Sequence, residues 1–250
     1  MADSRAAPWY DAAFQSDYLR VYPQRDLESA RPEVEFLLER GVSGRVLDLC
    51  CGFGRHALLL RERGMDVFGL DRSEELLAAA VELPRAGELL RGRLVRADMR
   101  NVPFASASFD AVVNLFSSFG YLGEDGDATV LAEIARVLRP GGLALLDLMN
   151  PTRVRAALVA RSERSGPGFV LVERRRLADG GQRVIKEVEL EVADGARRSW
   201  VEDVRLYEPY ELERMFARAG LSACGAWGEF DARPPASDAA RYIACARRPV

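Results

Sequence analysis

The sequence predicts an α/β fold, a doubly wound parallel sheet with helices on both faces and a small antiparallel insert. Three observations predict it. The run Val46-Leu47-Asp48-Leu49-Cys50-Cys51-Gly52-Phe53-Gly54-Arg55-His56 is an apolar strand that ends in a carboxylate, a glycine turn and the start of a helical pattern. Val67-Phe68-Gly69-Leu70-Asp71 is a second apolar strand, again closed by a carboxylate. After Pro151 the periodicity changes to two, with hairpin turns at Asp179-Gly180-Gly181 and Asp194-Gly195.

The elements follow in order. Residues 8–19 read as helical, with Trp9, Tyr10, Phe14, Tyr18 and Leu19. A second helix is expected to begin at Pro32, carry Val34, Phe36, Leu37 and Leu38, and stop at Gly41. The first strand spans 45–49 and its helix 55–63, closed by Gly64. The second strand, 66–70, precedes a helix capped by Ser73 that Pro84 breaks before it reaches residue 90. A third strand, 93–97, delivers Asp98 and Met99, and a fourth, 109–115, runs into Phe116-Ser117-Ser118-Phe119-Gly120-Tyr121. A helix over 129–138 is broken by Pro140-Gly141-Gly142 before the fifth strand, 143–148. Five short apolar strands alternating with helices place a binding crevice at the strands' carboxyl ends.

Beyond Pro151, residues 169–177, 182–192 and 197–206 read as strands. Val188, Leu190 and Val192 share one face, and Glu187, Glu189 and Glu191 the other. Residues 161–186 are basic on balance and 187–213 acidic, which reads as a solvated, mutually compensating face. A helix over 210–219 ends at Gly220, and two last strands, 221–230 and 241–246, flank the Pro234-Pro235 loop.

Composition excludes several classes. At 48% apolar and 29% charged residues, 250 residues support one large core or a core with a small appendage, not a structureless chain. Thirty-five basic against 38 acidic residues give a net charge of −3, which does not call for a polyanionic partner. No apolar run approaches the ~20 residues of a membrane span, and a basic-then-apolar leader is absent, so a soluble cytoplasmic protein is the expectation. Cys50 and Cys51 lack zinc-ligand spacing and the chain holds one histidine, so no metal site is expected. Cys224 and Cys245 lie in the late apolar segments, where buried free thiols are favoured over a bridge.

The ordered set of glycine motif, Asp71, Asp98, the strand ending at Asn114 and Arg139-Pro140-Gly141-Gly142 resembles the class I S-adenosylmethionine-dependent methyltransferases, closely over 45–148 and more loosely over 208–220 and the final strands. The resemblance implies a Rossmann-like three-layer sandwich, with a mostly parallel seven-stranded sheet whose last strand is antiparallel. Residues 1–40 are then an N-terminal helical cover, 41–151 the cofactor-binding core, 152–206 an antiparallel insert or cover, and 207–250 the completion of the sheet. The cofactor implied is S-adenosylmethionine. Asp48 would hold the loop and the cofactor's ammonium, and Gly52 and Gly54 would permit close backbone approach. Asp71, with Arg72 beside it, would take the ribose hydroxyls, Asp98 and Met99 the adenine. Asn114 would border the sulfonium, unless it only ties down a loop, and Tyr18 would lend a hydroxyl. Cys50 stands where the family usually has glycine, and a side chain there is expected to fit if its φ is negative.

The reaction implied is in-line displacement of a methyl group by a small-molecule nucleophile. No general base is evident, because His56 is read as packed or exposed, and this leans toward an amine, a carboxylate or an acidic phenol. Tyr10, Tyr22, Phe119, Tyr121, Arg153 and Trp200 are the candidate acceptor-pocket residues. Three alternatives stay open: an NAD(P)-dependent oxidoreductase, since Gly52-Phe53-Gly54-Arg55-His56-Ala57 resembles a dinucleotide fingerprint with alanine third; an RNA methyltransferase; and a non-enzymatic cofactor-binding protein. No nucleic-acid or membrane partner is expected. A homodimer is open, through the Val188, Leu190 and Val192 face.

Overall fold

The computed structural model describes residues 8–250, so residues 1–7 of the expected N-terminal cover lie outside the described residues. The chain runs α1 (Trp9–Ala13), α2 (Asp17–Val21), α3 (Leu27–Glu39), β1 (Arg45–Leu49), α4 (Arg55–Glu62), β2 (Asp66–Asp71), α5 (Glu74–Val81), α6 (Ala86–Leu89), β3 (Leu94–Arg96), β4 (Phe109–Asn114), α7 (Gly123–Val137) and β5 (Leu138–Met149). It continues through α8 (Pro151–Ala157), β6 (Arg161–Gly166), β7 (Phe169–Ala178), β8 (Arg183–Val192), β9 (Arg197–Arg205), α9 (Pro209–Arg218), β10 (Ser222–Trp227) and β11 (Arg241–Arg247).

Seven strands form one sheet in the order β10-β11-β5-β4-β1-β2-β3. β11 is antiparallel to both of its neighbours, and the remaining pairs are parallel. The alternating parity of each strand feeds two separate cores. Leu47, Leu49, Val112 and Leu146 pack on one face with Val130, Ile134 and Phe216 of α7 and α9. Val46, Val113 and Leu145 pack on the other with Leu37 and Leu58 of α3 and α4. Each buried leucine or phenylalanine contributes roughly 1.5–3 kcal/mol, so the three-layer sandwich follows from strands that are apolar on both faces.

Several boundaries differ from the sequence expectation. α3 begins at Leu27 rather than Pro32, because Asp26 caps it: its carboxylate accepts from Ser29 N at 2.8 Å while the Ser29 hydroxyl accepts from Asp26 N. The aromatic N-terminal segment is two short helices instead of one. α8, which Asn150 caps from its side chain, was not foreseen, nor was β6.

The second sheet, in the order β6-β7-β8-β9, is antiparallel throughout. Val188, Leu190 and Val192 are buried with Phe169 and Leu171 against Val21 and Tyr22, so this face is covered within the chain by the N-terminal segment. The opposite face carries charge pairs such as Arg174–Glu189 (2.6 Å) and Arg197–Glu191 (2.9 Å). All four cysteines are free; Cys245 is buried, but Cys224 is exposed, contrary to expectation, and its sulfur lies 2.6 Å from that of Cys245.

Candidate active site

A cavity of about 1200 Å³ opens at the carboxyl ends of β1, β2, β4 and β5, walled by α1 and α2 on one side and by the second sheet on another. Its size exceeds the roughly 300–1,000 Å³ of a pocket for one small ligand, which leaves room for two.

The β1 end of the cavity is built on carboxylates. Asp48 is 1% exposed, and its Oδ2 has no hydrogen-bond partner among the described residues. Burial pushes its carboxyl up to about 7; the Ala57 backbone N–H opposes this and the nearby Asp71 adds to it. Asp71 closes β2 and accepts from Gly52 N at 2.7 Å and Ser73 N at 2.8 Å, so it holds the glycine loop from within. Burial raises its carboxyl in spite of those bonds. Gly52 lines the cavity at φ +55. Gly54 does not line it, contrary to expectation: it caps α4 at φ +74, turning the chain into the helix. Cys50 also corrects the expectation, since its φ is +63. The side chain is accommodated in the left-handed region, at a backbone cost of about 1–2 kcal/mol, and Sγ rests 3.4 Å from Met99 Sδ. Both residues line the cavity.

Asp98 faces the same space, fully engaged: it accepts from Arg100 N and Nε at 2.9 Å each and from Arg72 at 3.2 Å. The Arg100 hydrogen bonds hold its carboxyl below the usual range. Arg72 also binds Asp11 at 2.6 and 2.9 Å, which fastens α1 to the end of β2. Asn114 is fully buried and absent from the cavity wall; its Nδ2 donates to Leu49 O at 2.9 Å, so it ties β4 to β1.

On the opposite side, Tyr10, Phe14, Tyr18, Tyr22 and Tyr121 form an aromatic wall. Tyr121 meets Trp9 edge-on at 4.8 Å and stacks with Phe14 at 6.0 Å. Three expected pocket residues are elsewhere. Phe119 is 1% exposed in the core beside Tyr207, and Arg153 is exposed on α8. Trp200 stands behind the wall and donates to Glu202 at 3.1 Å.

Four lining residues were not read from the sequence. Arg25 donates to the Tyr18 hydroxyl and lies over the Tyr22 ring at 4.5 Å; among the described residues it has no carboxylate partner. Arg241 binds the fully buried Asp147 at 2.5 Å. Lys186 and Glu202, directly paired across β8 and β9, touch at 2.7 Å. The signal for these two was parity: they stand on the inward face of their strands, among Val184, Val188 and Val204.

Phe116 and Ser117 leave β4 at φ +59 and +57, two consecutive strained positions at the cavity wall. Phe116 N donates to Asp147 Oδ2 at 2.8 Å, and Ser117 N to Asp147 O at 2.9 Å. The Phe116 ring carries the guanidinium groups of Arg55, Arg241 and Arg25 at 4.1, 4.4 and 5.2 Å. His56, also lining the cavity, is 2.5 Å from Glu33. Burial lowers its pKa although Glu33 opposes this, so the contact is a hydrogen bond of a neutral ring.

Among the described residues there is no cluster of metal-ligating side chains and no helix long and apolar enough to cross a membrane.

Residues 46–142 match the family model described as a methyltransferase domain. The chain is 37% identical over 139 residues to a demethylmenaquinone methyltransferase of Thermus thermophilus, covering 54% of this chain and 61% of that protein. It is 38% identical over 120 residues to a glycine/sarcosine N-methyltransferase of Aphanothece halophytica, covering 47% and 44%. The chain thus spans about half the length of the curated relatives it matches. The fold extends further: the CcbJ methyltransferase from Streptomyces caelestis superposes with a TM-score of 0.81 over 96% of this chain and 98% of that one, at 20% identity. With the glycine loop and the successive carboxylates of β1 and β2 on one cavity, residues 46–142 match a methyltransferase domain, and the described chain shares the fold of a known methyltransferase.

Proposed function

We propose that this protein transfers a methyl group from S-adenosylmethionine to a small-molecule nucleophile. The observation that carries the reading is Asp48, a buried carboxylate on the cavity with one oxygen unpartnered. The cofactor's ammonium is a chemical match for that oxygen, so the residues present fit the group. Asp71 retains lone pairs for ribose hydroxyls beyond its two backbone bonds. Met99 and Cys50 offer an apolar surface to the adenine, while a contact with Asp98 requires one of its arginine bonds to yield. Arg25, the cavity guanidinium without a carboxylate partner among the described residues, suits the cofactor's own carboxylate, with Tyr18 steadying it.

When bound, S-adenosylmethionine supplies an electrophilic methyl group on a sulfonium whose thioether leaves readily. The protein's part is alignment and exclusion of water, which the aromatic wall of Tyr10, Phe14 and Tyr121 supports. An amine arriving neutral needs no base for this step, in keeping with a His56 already committed to Glu33. The named relatives divide between a quinone and an amino-acid acceptor, so the comparisons leave the acceptor open.

Calorimetry with S-adenosylmethionine, S-adenosylhomocysteine and NAD tests the reading. Saturable binding of the first two supports it; binding of NAD alone would favour the oxidoreductase alternative. A subsequent screen of amines, phenols, carboxylates and unmodified tRNA, read as S-adenosylhomocysteine formation, separates small-molecule from RNA acceptors.

A further inference from the structure

The second sheet brings three charged residues to its inward face: Glu173, Lys186 and Glu202. Lys186 donates to Glu202 at 2.7 Å and to the Tyr22 hydroxyl at 3.2 Å, with Glu173 at 3.6 Å. Two of its N–H donors therefore have an acceptor, and Glu173 adds an ion pair beyond hydrogen-bond distance. Burial works against the ammonium, but Glu202, Tyr22 and Glu173 together outweigh it and keep Lys186 charged. Glu173 is occupied by Arg175 at 2.6 Å and Ser162 at 3.0 Å. Glu202 differs, because it lines the cavity and, among the described residues, accepts only from Lys186 and the Trp200 indole N–H, which leaves it lone pairs to spare. The Tyr121 hydroxyl, on the same cavity, has no partner among the described residues.

Apart from the Tyr121 hydroxyl, what this patch lacks is donors, not acceptors. Lys186 and Arg175 are balanced by Glu173 and Glu202, so a ligand that brought a net charge would leave that charge uncompensated beside buried groups. An unsubstituted hydrocarbon face would leave Glu202 desolvated without a donor, which is also unfavourable. The ligand that satisfies both conditions is neutral and carries O–H or N–H groups.

We propose that Glu202, held by Lys186 and Trp200, recognises the acceptor, and that the acceptor is a hydroxylated amine taken up as the free base, with a hydroxyl donating to Glu202. The assignment rests on the methyl-transfer reading above and narrows its acceptor class. Prenylated quinones fall outside it, because they bring a long apolar chain and no donor to this wall.

The test is calorimetry on the full chain saturated with S-adenosylhomocysteine, using paired probes that differ in hydroxyl groups: 2-aminoethanol against ethylamine, and glucosamine against cyclohexylamine. At least one hydroxylated member is expected to bind about tenfold more tightly than its counterpart, the effect of one hydrogen bond to a charged group. Glu202→Ala is expected to abolish that preference while S-adenosylhomocysteine affinity stays within about twofold, since none of the residues given to the cofactor bonds to Glu202 directly. Glu202→Gln keeps the size and an acceptor oxygen, and should narrow the preference to about threefold even if the alanine variant folds poorly. Equal binding within both pairs, no binding by any of the four amines, or a preference that is undiminished at Glu202→Gln overturns the proposal. Failure of the wild-type chain to bind S-adenosylhomocysteine would instead refute the methyl-transfer reading.

Discussion

Asp48→Asn removes a buried charge while keeping the shape of the side chain, and its effect reverses between the free and the bound protein. In the free protein the carboxyl is raised from 3.8 to about 7, chiefly by burial. The folded state therefore holds a proton between those values that the unfolded chain has released. The penalty for burying Asp48 is absent below about pH 4, grows as pH rises, and levels off above about pH 7. The difference corresponds to about 4 kcal/mol at pH 8 and under about 2 kcal/mol at pH 5. Asparagine carries no such penalty, so Asp48→Asn is expected to stabilise the ligand-free chain by up to those amounts, less whatever its unpaired amide N–H groups cost. Urea unfolding at the two pH values measures the gain. In the same variant, S-adenosylhomocysteine affinity is expected to fall about 10- to 100-fold, the loss of one charge-assisted hydrogen bond. A stability change that is the same at pH 5 and pH 8 would refute the burial argument, and undiminished ligand binding would refute the role given to the carboxylate.

Other substitutions act on geometry already described. Asp71→Ala should weaken S-adenosylhomocysteine binding and also lower the ligand-free unfolding temperature, because the Gly52 and Ser73 N–H groups lose their acceptor; the expected destabilisation is about 1–3 kcal/mol. Tyr207→Phe removes the 2.8 Å donor to the fully buried Asp127 and should destabilise by about 1–3 kcal/mol in chemical unfolding, with no change in S-adenosylhomocysteine affinity. Glutathione disulfide is expected to link Cys224 to Cys245, seen as the loss of two alkylatable thiols in peptide mapping; alkylation of Cys224 alone would count against it.

What was legible in the sequence was whatever depends on local pattern. β1, β2 and β4 are apolar on both faces and end in residues that break the run, so their position and order could be read directly. β6 has the sequence Arg-Ser-Glu-Arg-Ser-Gly and owes its pairing to β7 alone, with no apolar alternation to announce it. The cofactor side of the cavity was legible because the glycine loop and the strand-end carboxylates occur in order. Its far side is assembled from α2, β8, β9 and the start of β11, whose meeting no spacing reveals. Phe119 was misplaced because Phe116 and Ser117 both take positive φ, which breaks the parity that would have continued β4. Lys186 and Glu202 were discoverable as charges on an apolar parity, a pattern masked by the glutamates that alternate on the other face.

Gly120, after the strained turn, accepts from Arg205 N at 2.8 Å, and a Cβ at its position would stand 2.7 Å from Arg205 O. Two residues further, just past the insert, Tyr207 reaches Asp127, which also takes the N–H groups of Gly120 and Leu122. The loop after β4 and the end of the second sheet are therefore riveted together at two points. The insert is not an interchangeable module that can be transplanted by itself. A chimera that imports a different insert to alter acceptor choice should carry residues 116–127 from the same donor, because a foreign sheet would otherwise arrive without the backbone and carboxylate that seat it.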